Sequence, residues 1–262
     1  MTEEQNVKDG QMPPSPEMIP VEEPQMSEVG TLANIYIEPG NTFEDLRRKT
    51  RWILAMLITI VGMSAFQISF IEKVGFEKVM RGNLENNSRI QRLPDDQREA
   101  LIQQQSQPIV KKVTYIITPV LLLIGFFIGG LLYWGGANAM GGSIGYFKSL
   151  SVFVYSTFVP WLVWELANII VLFLKAVEDI DLKGGQGGLV NANPNLFLSL
   201  NDSPALRALI GSIDLFVVWG LVLAAIGLQK IAKLSSGATW ATVLIVQVIL
   251  ITLKVGWFYL NG

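Results

Sequence analysis

The chain has no cysteine and no histidine among its 262 residues. Without them there are no disulfides, no thiolate nucleophile, no imidazole base and no zinc site of the usual ligands. Most familiar enzyme chemistry is excluded by these two absences, and no cofactor, no metal and no nucleic-acid partner is expected. Charge is also scarce. Asp, Glu, Lys and Arg make up 16% of the chain, against about 25% in an ordinary soluble domain. Almost all the charges that remain fall in four patches separated by long uncharged runs. A lipid interior demands such runs, so the fold class expected is all-α: a polytopic integral membrane protein whose main partner is the lipid bilayer.

A bilayer core of about 30 Å needs roughly 20 apolar residues as helix, with every backbone group bonded internally. Five segments meet that requirement, at about 52–71, 113–134, 149–174, 208–229 and 238–260. Trp52, Tyr133, Trp134, Trp240, Trp257 and Tyr259 lie near their ends, as expected for the headgroup belt. The glycine-rich stretch 135–147 reads as an interfacial connector. Five spans put the termini on opposite sides. Arg47, Arg48, Lys49 and Arg51 precede the first span, and Lys230 and Lys233 precede the fifth without any acid. This bias favours an N-terminus in the cytoplasm and a C-terminus outside.

The first 33 residues hold seven acids, one Lys and five Pro. They contain no apolar core of the kind a cleavable signal needs, and the composition predicts a disordered acidic tail, 1–33, ahead of a membrane domain, 34–262. A docking site for a basic partner is the functional reading of that tail. Pro39-Gly40 followed by Asn41 and Glu44 reads as a turn and a capping-box-like helix start. That helix is expected on the membrane surface, with Arg47, Arg48, Lys49 and Arg51 either facing anionic headgroups or serving as flanking positive charge. The loop 72–112 has the pattern of an extramembrane helical hairpin, with Leu93-Pro94-Asp95-Asp96 opening its second helix. Lys183-Gly-Gly-Gln-Gly-Gly lacks the strand and the Lys-Ser/Thr of a phosphate loop and reads as a flexible connection.

Three ionisable residues interrupt the spans: Glu165, Asp214 and Lys254. Each costs at least about 2.5–3.5 kcal/mol at the bilayer centre and so calls for a partner or a purpose. Helix direction places all three in one leaflet. Trp161, Trp164, Glu165 and Asn168 share a face of the third span, and Pro160 can kink it. The expectation is an intramembrane polar cluster of Glu165, Asn168, Asp214 and Lys254, with Gln67 at similar depth. It would serve either as a substrate or proton path or as a charge pair fixing helix register. Gly125 and Gly129 form a small-xxx-small pair suited to close helix packing, within the bundle or between protomers.

Taken in order, these features resemble a family. They are an acidic Pro-containing tail, Pro39 with Thr42-Phe43 before the first helix, the run from Phe147 to Pro160, and the run from Ile213 to Leu228 beginning Ile-Asp-Leu-Phe. The sequence from residue 34 to 260 resembles the bacterial-type branch of the YIP-domain family, whose eukaryotic members are Rab/Ypt-interacting proteins of the early secretory pathway. The resemblance implies a five-span helical fold with a cytoplasmic N-terminus, here in a bacterial inner membrane. The Asp-Leu-Tyr-Gly-Pro motif of the eukaryotic members is absent. Two functions follow as expectations: a non-enzymatic scaffold or adaptor, working through the tail or as a homo-oligomer, or a small transporter or channel using Glu165, Asp214 and Lys254. A membrane hydrolase ranks third, since two carboxylates without a metal or nucleophile rarely suffice.

Overall fold

The computed structural model describes residues 23–261 apart from 86, 181, 183–188, 191, 195–205, 207 and 208. Two short helices, α1 (Glu28–Asn34) and α2 (Pro39–Arg48), precede the first long one, α3 (Ile53–Val74). Then come α4 (Phe76–Glu85), α5 (Ser88–Gln91) and α6 (Asp95–Gln105), followed by α7 (Pro108–Ala139), α8 (Tyr146–Leu174), α9 (Leu215–Ala232) and α10 (Ser236–Asn261). No strand occurs among the described residues. Helices α3, α7, α8, α9 and α10 are long and apolar enough to cross a membrane. The all-helical, five-span fold class expected from the uncharged runs is the one observed.

Three boundaries move, each for a local reason. Helix α7 runs 32 residues, about 48 Å at 1.5 Å per residue, and absorbs Gly135 and Gly136 of the expected connector. The turn to α8 shrinks to 140–145 because Asn138 braces it: its amide donates to the Ile144 carbonyl at 3.1 Å and its oxygen accepts from the Ile144 N–H at 3.3 Å. Gly141 supplies the positive φ of 86° that the turn needs. Helix α9 starts at Leu215, so Asp214 caps a helix rather than lying inside one, its side chain accepting from the Phe216 N–H at 2.8 Å. The expected tail also ends earlier than residue 33. Ser27 caps α1, and Thr31 within α1 is fully buried. The rest of the tail reading, on residues 1–22, and the glycine-rich connection from 183 lie outside the described residues.

Helix α8 is the centre of the bundle, packing against α3, α7 and α9, while α10 leans on α7 and α9. Leu150, Val152, Val154, Tyr155, Phe158 and Val159 of α8 are almost wholly enclosed. The close approach of α7 and α8 depends on glycine. A Cβ on Gly129 would lie 2.2–2.4 Å from the Phe153 ring, and one on Gly130 would lie 3.0 Å from the Leu150 Cα. Gly125 has nothing within 4 Å of its Cβ position. The glycines at the α7–α8 contact are therefore 129 and 130, adjacent in sequence, whereas the Cβ position of Gly125 faces open space among the described residues.

The bundle has two unlike ends. At one, α3, α8 and α10 begin and α7 and α9 finish, and the pair α1–α2 sits over them. At the other, Gly75 (φ 95°) separates α3 from α4, and α4 packs on α6. There Arg81 makes a two-pronged contact with Glu99 at 2.9 and 3.0 Å. That hydrogen bond, with the Coulomb attraction behind it, outweighs desolvation and holds the Glu99 carboxyl below its usual pKa. Lys73 donates to the carbonyls of Leu172 and Lys175, the last turn of α8, where a cation offsets the negative end of the helix dipole.

Candidate functional site

Two groups of buried polar residues stand out against the apolar bundle, one in its interior and one under its N-terminal end. The interior group lies on α8. Glu165 is 1% exposed, about 14 Å from the helix end at Leu174. Its carboxyl fits against the missing side chain of Gly62 on α3: a Cβ there would be 2.4 Å from Oε2. Neither carboxyl oxygen has a hydrogen-bond partner among the described residues. One turn on, fully buried Asn168 does have partners. Its amide donates to the Trp164 carbonyl at 2.7 Å, and its oxygen accepts the N–H groups of Leu189 and Val190. The Trp164 indole N–H donates to the Val190 carbonyl at 3.1 Å. Trp164 and Asn168 thus hold three backbone groups of Leu189 and Val190, in the α8–α9 connection, against the helix, satisfying polar atoms that a half-buried stretch would otherwise leave open.

The cluster anticipated from sequence is split. Asp214, as the cap of α9, accepts from the Asn193 side chain at 3.4 Å. Lys254 on α10 donates to Ser212 Oγ at 3.5 Å. These form a second group beside the start of α9. No ion pair joins Lys254 to Glu165 among the described residues, which corrects the expectation of a shared four-residue cluster. The reason is the α9 boundary: once Asp214 caps the helix, it sits at the bundle's end rather than within it. Gln67 also goes elsewhere, donating to Thr118 Oγ1 on α7 at 3.0 Å.

The buried group at the N-terminal end lies under α1 and α2, where a membrane-surface helix is expected from sequence. Phe43 and Leu46 of α2 and Ile35 beside it have 0–1% exposure. They point into the bundle core, with Phe43 against the Cβ position of Gly227 on α9. Burying such a side chain contributes about 1.5–3 kcal/mol, so α2 is an integral lid on the bundle. Its basic residues divide accordingly. Lys49 is exposed and Arg48 half-buried, whereas Arg47 pairs with Glu44 at 2.6 Å. Arg51 departs from the headgroup expectation altogether. It is 8% exposed and bonds Asp45, itself 1% exposed, at 2.6 Å.

Asp45 and Arg51 also grip the incoming chain. The Gln25 and Met26 N–H groups donate to Asp45 Oδ1, and Arg51 Nη2 donates to the Met26 carbonyl at 2.7 Å. Burial alone would push the Asp45 carboxyl up, but the Arg51 guanidinium and the two backbone amides outweigh it and hold it below the ordinary aspartate range. Farther in, Thr31 Oγ1 and the Tyr155 hydroxyl share a buried hydrogen bond of 2.8 Å. A sequence signal for this lock does exist: Asp45 is the one acid on the inner face of an amphipathic helix otherwise lined by Thr42, Phe43 and Leu46.

A family model, the Yip1 domain, matches residues 33–258, from the end of α1 through the fifth span. The Bacillus subtilis (strain 168) protein "Membrane protein YknW" is 28% identical over 129 residues, 49% of this chain and 51% of that protein. The match therefore spans about half the length of the relative. No solved structure matches the chain. Five membrane-crossing helices, an all-helical bundle and a family match over nearly the whole described chain agree: this integral membrane protein belongs to the Yip1 domain family.

Proposed function

We propose that the protein is a non-enzymatic membrane adaptor: a bundle fixed in the bacterial plasma membrane that presents its acidic N-terminal tail to partner proteins in the cytoplasm. The observation that carries this reading is the buried grip of Asp45 and Arg51 on Gln25 and Met26. It anchors the chain at the point where the tail joins the bundle, so whatever the tail binds is tied mechanically to the membrane domain. The relative from Bacillus and the basic residues before α3 support the plasma membrane and the cytoplasmic side. The alternative, a transporter built on a Glu165–Asp214–Lys254 path, loses support because Glu165 is sealed from solvent and the other two residues lie apart from it.

The test is photo-crosslinking in native membranes, with a photoreactive residue replacing Met12 in the full chain. The adaptor reading expects a discrete adduct with a second polypeptide, competed away by excess free peptide of residues 1–22 and weakened by Asp45→Asn. Adducts to lipid alone, or none at all, would overturn it. Substrate flux in reconstituted vesicles abolished by Glu165→Gln would instead favour the transporter.

A further inference from the structure

We infer that Glu165 is an intramembrane proton-binding site, holding a proton while α3 and α8 are packed at Gly62 and releasing it only when that contact opens to water. The inference stands on the placement of the side chain and is independent of the adaptor reading. An ionised carboxylate taken out of water with no hydrogen-bond partner pays a solvation cost far above that of a neutral acid, and in practice such a group takes up a proton instead. Glu165 meets both conditions, being 1% exposed with neither oxygen partnered among the described residues. The glycine opposite is what makes the arrangement possible. Oε2 occupies the volume that any side chain at position 62 would need, so the carboxyl is part of the α3–α8 contact, and at 1% exposure it meets water when that contact opens.

Among the described residues no nearby charge supplies an alternative. The charged groups on the helices packed around α8 are held elsewhere. On α3, Glu72 pairs with Lys111 of α7 at 2.7 Å and Lys73 caps the end of α8. Lys112 lies beside Lys111 in the first turns of α7. Asp214 caps the start of α9, and Lys230 lies in its last turn. Glu44, Asp45, Arg47 and Arg48 belong to α2 at the opposite end of the bundle from α4 and α6. On α8 itself, Lys148 lies in the first turn and Lys175 follows the last. Lys254 on α10 reaches Ser212. With no counter-charge among the described residues, the interaction available to Glu165 is with a proton, and proton release is linked to helix separation. With one proton lost per opening, the opening constant changes about tenfold per pH unit, the linkage expected for a single titrating group.

The experiment uses the full chain in lipid vesicles and two readouts. Infrared spectra at neutral pH, with glutamate carrying a carbon-13 side-chain carboxyl, are expected to contain a protonated-acid carbonyl band that shifts with the isotope and is missing from Glu165→Gln. The second readout exploits the absence of cysteine. Thr59, 1% exposed and one turn from Gly62 on α3, is replaced by Cys as the sole thiol, and its reaction with a membrane-impermeant maleimide is followed from pH 5.5 to 7.5. Thiol ionisation raises the rate in every variant, so the ratio of the Glu165 protein to its Glu165→Gln counterpart is the measure. That ratio should rise about tenfold per pH unit. A labelled-glutamate spectrum showing only carboxylate at neutral pH would overturn the inference without any variant having to fold. A ratio that stays flat with pH would overturn it equally.

Discussion

Replacing Asp45 by Asn tests whether the N-terminal lid is held by its buried ion pair. The substitution keeps shape but removes the charge, leaving the Arg51 guanidinium, 8% exposed, without its anionic partner. It also turns an amide towards the donors of Gln25 and Met26. Removing one partner of a buried pair costs about 3–5 kcal/mol, because the remaining charge stays buried. At 1.4 kcal/mol per factor of ten, the equilibrium for lifting α1 and α2 should shift by roughly a hundredfold to a few thousandfold. Amide hydrogen exchange reads this directly. Thr31 and Thr42, whose N–H groups bond Ser27 and Glu38 within the lid, should exchange faster by that factor, while Met56, bonded to Trp52 in α3, should not change. The acid dependence has a defined sign. Because the native state depresses the Asp45 pKa, its stabilisation is complete above the ordinary aspartate value of about 3.9 and disappears as pH falls through the lower native value. The gap between the native protein and Asp45→Asn should therefore close below about pH 4. Exchange at Thr31 and Thr42 within about fivefold of the native rate at neutral pH would refute the reasoning, the predicted factor being at least a hundredfold.

Glycine substitutions on α7 should separate sharply. Gly129→Ala drives a methyl into the Phe153 ring and should cost about 1–3 kcal/mol, whereas Gly125→Ala meets open space and should be neutral or gain up to about 1 kcal/mol of helix propensity; thermal unfolding in detergent distinguishes them. Tyr155→Phe leaves the buried Thr31 hydroxyl without its side-chain partner and should cost about 1–3 kcal/mol. The double change Tyr155→Phe with Thr31→Val should cost less than the sum of the singles, measured by the same melts as a mutant cycle. Lys73→Met removes the cation from the last turn of α8 and should weaken protection of the Lys175 amide by a few-fold, as a dipole contribution of about 0.3–1 kcal/mol implies.

The spans were legible because lipid imposes a condition that composition alone can meet. Runs such as 53–71 carry no charge over a length a bilayer requires. The face of α8 shared by Trp164, Glu165 and Asn168 was legible too, since helical spacing fixes it. What spacing does not contain is the partner. Whether Glu165 meets Lys254 or the notch at Gly62 depends on how five helices assemble, and a glycine leaves no trace of what will occupy its empty side. Asp214 carried a second signal that outweighed burial: an acid immediately before an apolar helix is a favoured N-cap. The lid was misread for a different reason. An amphipathic helix next to a span presents the same pattern to a membrane surface and to the end of a bundle, and contacts far along the chain, such as those with Tyr155 and Gly227, separate the two.

That separation along the chain has a consequence for how the molecule is made. Thr31 meets Tyr155 across 124 residues, and Phe43 needs Gly227, which lies later still. At about 5–20 residues per second, α1 and α2 leave the ribosome several seconds before Tyr155 exists, and longer before α9 does. During that interval Phe43, Leu46 and the Asp45–Arg51 pair have no surface to close against. Closure of the lid is thus a terminal event of biogenesis, and it reports that the third and fourth spans have been threaded and assembled. A chain stalled or misinserted before α9 keeps this apolar face uncovered, which gives membrane quality control a feature by which to tell an unfinished copy from a finished one.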